Sequence, residues 1–226
     1  MTANAPYWIG LGDIHDDIRV FGAIPELPGA AAVLVSGDLT VRGGPEEAWA
    51  VLSALTRINP NVLAVIGNMD HASVEGLLAQ KGMLIQAGSR ELAPGLGVMG
   101  VGWSTPTPFN TPSEAPDATI AAWLEAAYES AKGFERLILV CHNPPVDTAT
   151  DLVGGATHVG SRAVRAFIER VQPGVCLTGH IHEAKSVDRI GETLIVNPGN
   201  LAAGGYAVIS TQNGRVTARL GQTGAR

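Results

Sequence analysis

The sequence predicts an α/β fold: a mixed sheet, or two packed sheets, flanked by helices. Three observations carry that reading. Short apolar runs of four or five residues lack polar alternation, as in strands covered on both faces. Helical segments alternate with those runs. The last third of the chain changes to short strands separated by Gly or Asn, the turns of antiparallel hairpins. With 226 residues, 46% of them apolar, the chain can bury a sizeable core. No long Pro/Gly/Ser or charged tract offers a linker, so one domain over 1–226 is expected.

Tyr7–Leu11, Ala32–Val35, Val62–Ile66, Leu137–Val140 and Val175–Leu177 are the covered strands. Pro45–Thr56 starts a helix with Pro in its first turn and with Glu46 and Glu47 near its positive end. Asp117–Lys132 repeats apolar residues at helical spacing and stops at Gly133. Ser161–Val171 has a capping Ser and closes before Pro173. The hairpin strands are Ser186–Ile190, Thr193–Val196, Tyr206–Ser210 and Arg215–Leu220. Trp103–Pro116, with four prolines, is a loop, a candidate cover for a site. Residues 221–226 read as a flexible tail.

A formal net charge of −6 argues against binding long nucleic acid or an anionic membrane. No run of eighteen apolar residues could span a bilayer. The start lacks a basic region followed by an apolar core, so a cytoplasmic protein is expected. Cys141 and Cys176 lie in apolar runs and read as buried thiols. The sequence is compatible with a homo-oligomer.

The chemistry lies where five apolar runs end. The first leads into Asp13-Ile14-His15, whose spacing of two puts a carboxylate and an imidazole on one side of extended chain. The others lead into Gly37-Asp38, Gly67-Asn68-Met69-Asp70, His142-Asn143-Pro144-Pro145 and Gly179-His180-Ile181-His182. Taken singly, a turn Asp, a strand-ending Asn or a structural His would explain each as well as metal binding does. The conjunction is harder to explain away: four of the chain's six histidines fall in these places. Sites in open α/β sheets form beyond the carboxyl ends of strands, so one crevice would gather these side chains.

In that order, the motifs resemble the calcineurin-like metallophosphoesterase superfamily over residues 13–182. Asn197-Pro198-Gly199 is similar to that family's ending. Gly160-Ser161 and Gly179-His180-Ile181-His182-Glu183 resemble a small bacterial and archaeal phosphoesterase branch. The resemblance implies two mixed sheets packed together with helices outside, a four-layer sandwich. It implies that Asp13, His15 and His182 hold one divalent ion, that Asn68, His142 and His180 hold a second, and that Asp38 bridges both. The implied reaction is hydrolysis of a small phosphate ester by hydroxide formed at the ions, with diesters slightly ahead of monoesters. Manganese leads as the ion; Fe, Zn, Co or Ni would suit the mixed O/N donors.

One position departs from the family: Met69 stands where many members have a His that protonates the leaving group. A thioether cannot donate a proton. Asp70 and His71 are the neighbouring substitutes, and Asp70 could instead orient a ligating histidine. His158 is a candidate contact for substrate phosphate, with Arg42 and Arg162 as weaker ones. A metallo-β-lactamase-type site wants His-x-His-x-Asp-His, but His182 is followed by Glu183-Ala184-Lys185, and no Gly-Lys pair exists for a nucleotide-binding loop. The remaining alternative is a catalytically weak scaffold on the same fold, acting through protein interaction.

Overall fold

The computed structural model describes residues 5–224. Its strands are β1 (Tyr7–Leu11), β2 (Ala32–Val35), β3 (Val62–Ala64), β4 (Gly88–Ala93), β5 (Leu96–Val101), β6 (Arg136–Cys141), β7 (Leu152–Val153), β8 (Thr157–His158), β9 (Val175–Leu177), β10 (Ser186–Ile190), β11 (Thr193–Asn197), β12 (Gly205–Gln212) and β13 (Arg215–Gln222). The α-helices are α1 (Pro45–Thr56), α2 (Val74–Gln80), α3 (Asp117–Ala131) and α4 (Arg162–Val171).

Two mixed sheets result, in the orders β13-β12-β1-β2-β3 and β10-β11-β9-β6-β5-β4. Strands β1, β2 and β3 run parallel, as do β5, β6, β9 and β11, while β12, β13, β4 and β10 pair antiparallel. Side chains alternate across each strand, so each covered strand feeds two cores. In β1 and β2, Trp8 and Leu34 point into the middle layer against Ile138, Val140 and Leu177 of the other sheet. Ile9, Leu11, Val33 and Val35 face outward onto Ala48, Val51, Leu52 and Leu55 of α1. On the other side, Leu139, Cys141 and Cys176 pack under Ile120 and Leu124 of α3 and Val164 and Phe167 of α4. Three apolar layers between four structural layers explain why the strands read as unbroken apolar runs.

Helix starts follow local chemistry. The carboxylate of Glu47 accepts the Gly44 N–H at 2.9 Å ahead of Pro45. The Ser161 hydroxyl accepts the Val164 N–H at 3.0 Å and donates to Asp117, which ties α4 to the first turn of α3. Both cysteines are buried and free. No helix among the described residues is long and apolar enough to cross a membrane.

Several expectations need correction. β3 stops at Ala64, because Ile66 turns its carbonyl to Trp103 N instead of a strand partner (3.0 Å). The pair β4–β5 and helix α2 are additions. β5 carries two glycines, β4 is charged on its exposed edge, and α2 is only seven residues long, so each lacks a strong periodic signal. The tail does not begin at 221: Gly221 and Gln222 pair with Tyr206 and Gly205 in β13. Thr223 is buried, with its N–H on the Gly204 carbonyl. Residues 225–226 of that expected tail, and 1–4 at the other end, lie outside the described residues.

Candidate metal centre

The parallel strands β1, β2 and β3 of one sheet and β6 and β9 of the other deliver their C-terminal loops to one edge of the sandwich. The first three loops are stitched together by backbone. Asp13 N donates to Gly37 O (3.1 Å), and Ile14 N and His15 N donate to Asp38 O (2.8 and 3.0 Å). Gly37 (φ +113°) and Gly67 meet back to back: a Cβ on Gly37 would lie 2.5 Å from Gly67 N, and one on Gly67 would lie 2.0 Å from Asp38 Oδ1. Only glycine permits that approach, and it brings Asp38 beside Asn68. Asp13, His15, Asp38 and His180 all have left-handed backbone (φ 50°, 48°, 51° and 71°). Such strain persists where surroundings over-determine it, and here it falls on four side chains that share one crevice.

The structure brings all seven expected ligands together in two groups. In the first, donor atoms of Asp13, His15, Asp38 and His182 lie within 4.8 Å of one another. His15 Nε2 and His182 Nε2 stand 3.0 Å apart, and His182 Nε2 is 3.4 Å from Asp13 Oδ1. In the second, His142 Nε2 is 2.8 Å from Asn68 Oδ1, and the His142 and His180 rings are 5.1 Å apart. Asp38 faces both: Oδ2 is 3.7 Å from His15 Nε2 and Oδ1 is 3.6 Å from His142 Nε2.

Whether a cation fits follows from the tautomers. His142 Nδ1 lies 3.0 Å from the Ser36 carbonyl, which can only accept. That assigns the proton to Nδ1 and leaves the Nε2 lone pair facing the Asn68 oxygen, two acceptors 2.8 Å apart. His15 Nδ1 points in the same way at the Thr40 carbonyl (3.4 Å), so its Nε2 lone pair faces His182. The facing His142 and Asn68 acceptors repel unless a cation lies between them, so the donor set fits divalent ions of the Mn to Zn series.

Charge in the buried site points the same way. Burial, with His180 nearby, pushes His142 down to about 3; burial also takes His180 down to about 4, so both are neutral imidazoles. Burial, then Asp13 and Asp70, pushes the Asp38 carboxyl well above its ordinary range. Burial also acts to raise Asp13, but the His182 hydrogen bond and the surrounding histidines outweigh it and hold Asp13 low.

Among the remaining expected residues, Asp70 is fully buried, and its carboxylate accepts four hydrogen bonds: Leu39 N (3.1 Å), Thr40 N and Thr40 Oγ1 (both 2.8 Å) and Gly67 N (3.0 Å). It touches no histidine and does not face the crevice, which corrects both expected roles. It clamps the Asp38 loop to the Asn68 loop. His71 is exposed at the approach to α2, with its N–H on Gly43 O, and does not line the crevice. His158 is likewise turned aside by its 2.6 Å bond to buried Asp151. Arg162 is exposed on α4. Arg42 does line the crevice, but its guanidinium donates to the carbonyls of Phe109 and Asn110 (3.0 and 3.2 Å). Two supporting roles escaped the sequence reading, although Asn197 itself stood in a motif. Asn197 Nδ2 holds the His180–His182 loop through Ile181 O (2.9 Å). Glu114 gathers Thr107 Oγ1, Thr111 N and Thr111 Oγ1, which folds the Trp103–Pro116 loop. Neither lies near a ligand in sequence, and only contact reveals them.

Above the ligands opens a cleft of about 690 Å³, within the range of small-molecule sites. Residues 105–111 form one wall, as expected of a loop over the site, and Val153, Val159 and Glu183 form the other.

Comparison with known proteins agrees with this geometry. Residues 119–220 match the family "Metallophosphoesterase, calcineurin superfamily". The chain is 34% identical over 195 residues to the uncharacterized protein MJ1162 of Methanocaldococcus jannaschii, covering 84% of this chain and 86% of that one. TT1561 of Thermus thermophilus has a similar structure (TM-score 0.74, 19% identity, covering 97% of this chain and 100% of that one). So does a dimetal phosphatase from Danio rerio (TM-score 0.67, 11% identity, covering 96% of each).

Proposed function

We propose that this chain, which belongs to the metallophosphoesterases of the calcineurin superfamily, hydrolyses small phosphate esters, diesters ahead of monoesters, with two divalent ions. Asp13, His15 and His182 would hold one ion; Asn68, His142 and His180 would hold the other. The single observation that carries this is Asp38, each of whose oxygens faces a histidine of a different group. When bound, such an ion pair would supply Lewis acidity and lower the pKa of a water to about 7. Manganese is our choice of native ion.

The chain's own residues do the rest. The Ser36 and Thr40 carbonyls fix the tautomers of His142 and His15, and Asp70 fixes the distance between two ligand loops. Met69 lines the cleft and supplies no proton to a departing alkoxide, so esters of acidic alcohols such as phenols are favoured. Among the described residues Arg42 is the cleft's one cationic residue apart from histidines, its guanidinium donates to two carbonyls, and Glu183 lines the same cleft. A diester monoanion suits those surroundings better than a monoester dianion.

The test is manganese-stimulated hydrolysis of bis-p-nitrophenyl phosphate beside p-nitrophenyl phosphate. Diester turnover exceeding monoester turnover, and lost in Asp38→Ala, is the expected result. Faster monoester turnover would overturn the diester preference. Absence of both turnover and bound metal would sink the enzyme reading in favour of a scaffold.

A further inference from the structure

The walls of the cleft differ from its floor. Above the polar ligands stand Met69, Pro106, Pro108, Phe109, Val153 and Val159. Three of these apolar side chains face water without cover: Phe109 is 73% exposed, Val153 40% and Val159 39%. Exposed apolar residues gathered around one concave site mark a binding surface, unlike the same residues scattered singly. Both walls are also built to hold position. Glu114 draws in Thr107 and Thr111 on either side of Phe109, and Arg42 holds the Phe109 and Asn110 carbonyls. Opposite, the β7–β8 hairpin is tied down by Gly154 N on Glu183 Oε1 (2.9 Å) and by Asp151, which accepts Gly160 N (2.9 Å). An aromatic residue whose backbone is held beside the ligand floor in this way is placed to cover a flat apolar group.

We infer that the substrate is a phosphate diester whose retained alcohol carries an aromatic or similarly flat apolar group, the phosphoryl on the ligand floor and the apolar group under Phe109, Val153 and Val159. This rests on the phosphoesterase reading and adds a substrate class to it. Nucleoside di- and triphosphates and other polyphosphates suit these walls poorly: among the described residues, a second phosphate would meet Glu183, apolar carbon and an Arg42 already donating to two carbonyls.

The test keeps the leaving group constant. Methyl p-nitrophenyl phosphate and phenyl p-nitrophenyl phosphate are compared as substrates of the manganese-loaded protein. Phenylphosphonate and methylphosphonate are compared as ligands by calorimetry. The phenyl compounds are expected to show KM and Kd lower by roughly tenfold to a hundredfold, the discrimination typical of apolar pockets. Phe109→Ala and Val159→Thr should each shrink both ratios, and the exposure of these residues leaves folding intact. Equal values for phenyl and methyl compounds, with hydrolysis present, would overturn the substrate class and leave the phosphoesterase reading standing. A phenylphosphonate preference without hydrolysis would support the apolar site and overturn the activity. A dimer that Phe109→Ala dissolves, with no phenyl preference, would assign the apolar rim to a second copy of the chain and overturn the proposal.

Discussion

His142 and His182 occupy corresponding places in the two halves of the centre, yet their surroundings differ. His142 is fully buried, with one nitrogen held by the Ser36 carbonyl and the other facing Asn68 and Asp38. The side chain of His182 is 43% exposed and faces Asp13 and His15 at the mouth. Asp13, first by its hydrogen bond, pulls His182 above its ordinary value, whereas burial drives His142 down to about 3. The difference teaches that the two halves are unequal: the inner half is set by the fold, the outer half by solvent and ligand. An ion in the inner half should exchange slowly, and one in the outer half quickly.

The largest effect should come from Asp38→Ala, which removes the side chain common to both halves. We expect both ions to be lost on desalting, read by elemental analysis, and diester hydrolysis to fall below detection; retention of two equivalents would break the two-group assignment. The comparison itself is sharpened by His182→Ala against His142→Ala. His182→Ala should keep one tightly held equivalent and an unchanged thermal midpoint. His142→Ala should lose the slow-exchanging equivalent and lower the midpoint, because it also leaves a cavity and an unpaired Ser36 carbonyl. Identical metal content in the two variants would erase the proposed inequality.

Asp70→Asn comes next. It keeps the shape but places an amide N–H2 among four donors, so at least one buried N–H loses its acceptor. We expect a cost of about 1–3 kcal/mol in denaturant unfolding and a fall of roughly ten- to a hundredfold in metal affinity or activity. The smallest effect concerns His158, outside the centre. The Asp151 hydrogen bond, with Asp147 nearby, raises its pKa. A raised folded value means that the pair stabilises fully below the ordinary value of 6.5 and loses that contribution as pH rises through the folded value. His158→Gln should therefore lower the thermal midpoint more at pH 6 than at pH 9; an equal loss at both would show that the pair acts by shape alone.

Much of this was legible in the chain. β1, β2, β9, β10 and α1 have the bounds their apolar runs and punctuation predict, since a covered strand or a Pro-led helix is written locally. The seven polar residues at strand ends were equally visible, because strands in parallel must present their C-terminal loops along one edge. Asp70, His71 and His158 were not: the first two could be named as proton donors and the third as a phosphate contact, but which way each side chain turns is decided by its partners in the fold. Asp70 answers to Leu39 and Thr40, about thirty residues away.

By itself, then, the sequence determined the α/β class and the placing of candidate ligands at strand ends, because periodicity and spacing are properties of neighbours in the chain; their division between two ions came from the resemblance. The tertiary structure alone decided that Asp70 only clamps loops. It alone decided that His142 is buried and His182 exposed, and that a Pro-rich loop carries Phe109 to the mouth. Those are questions of distance and burial between residues far apart in sequence, and they have no answer until both sheets are packed.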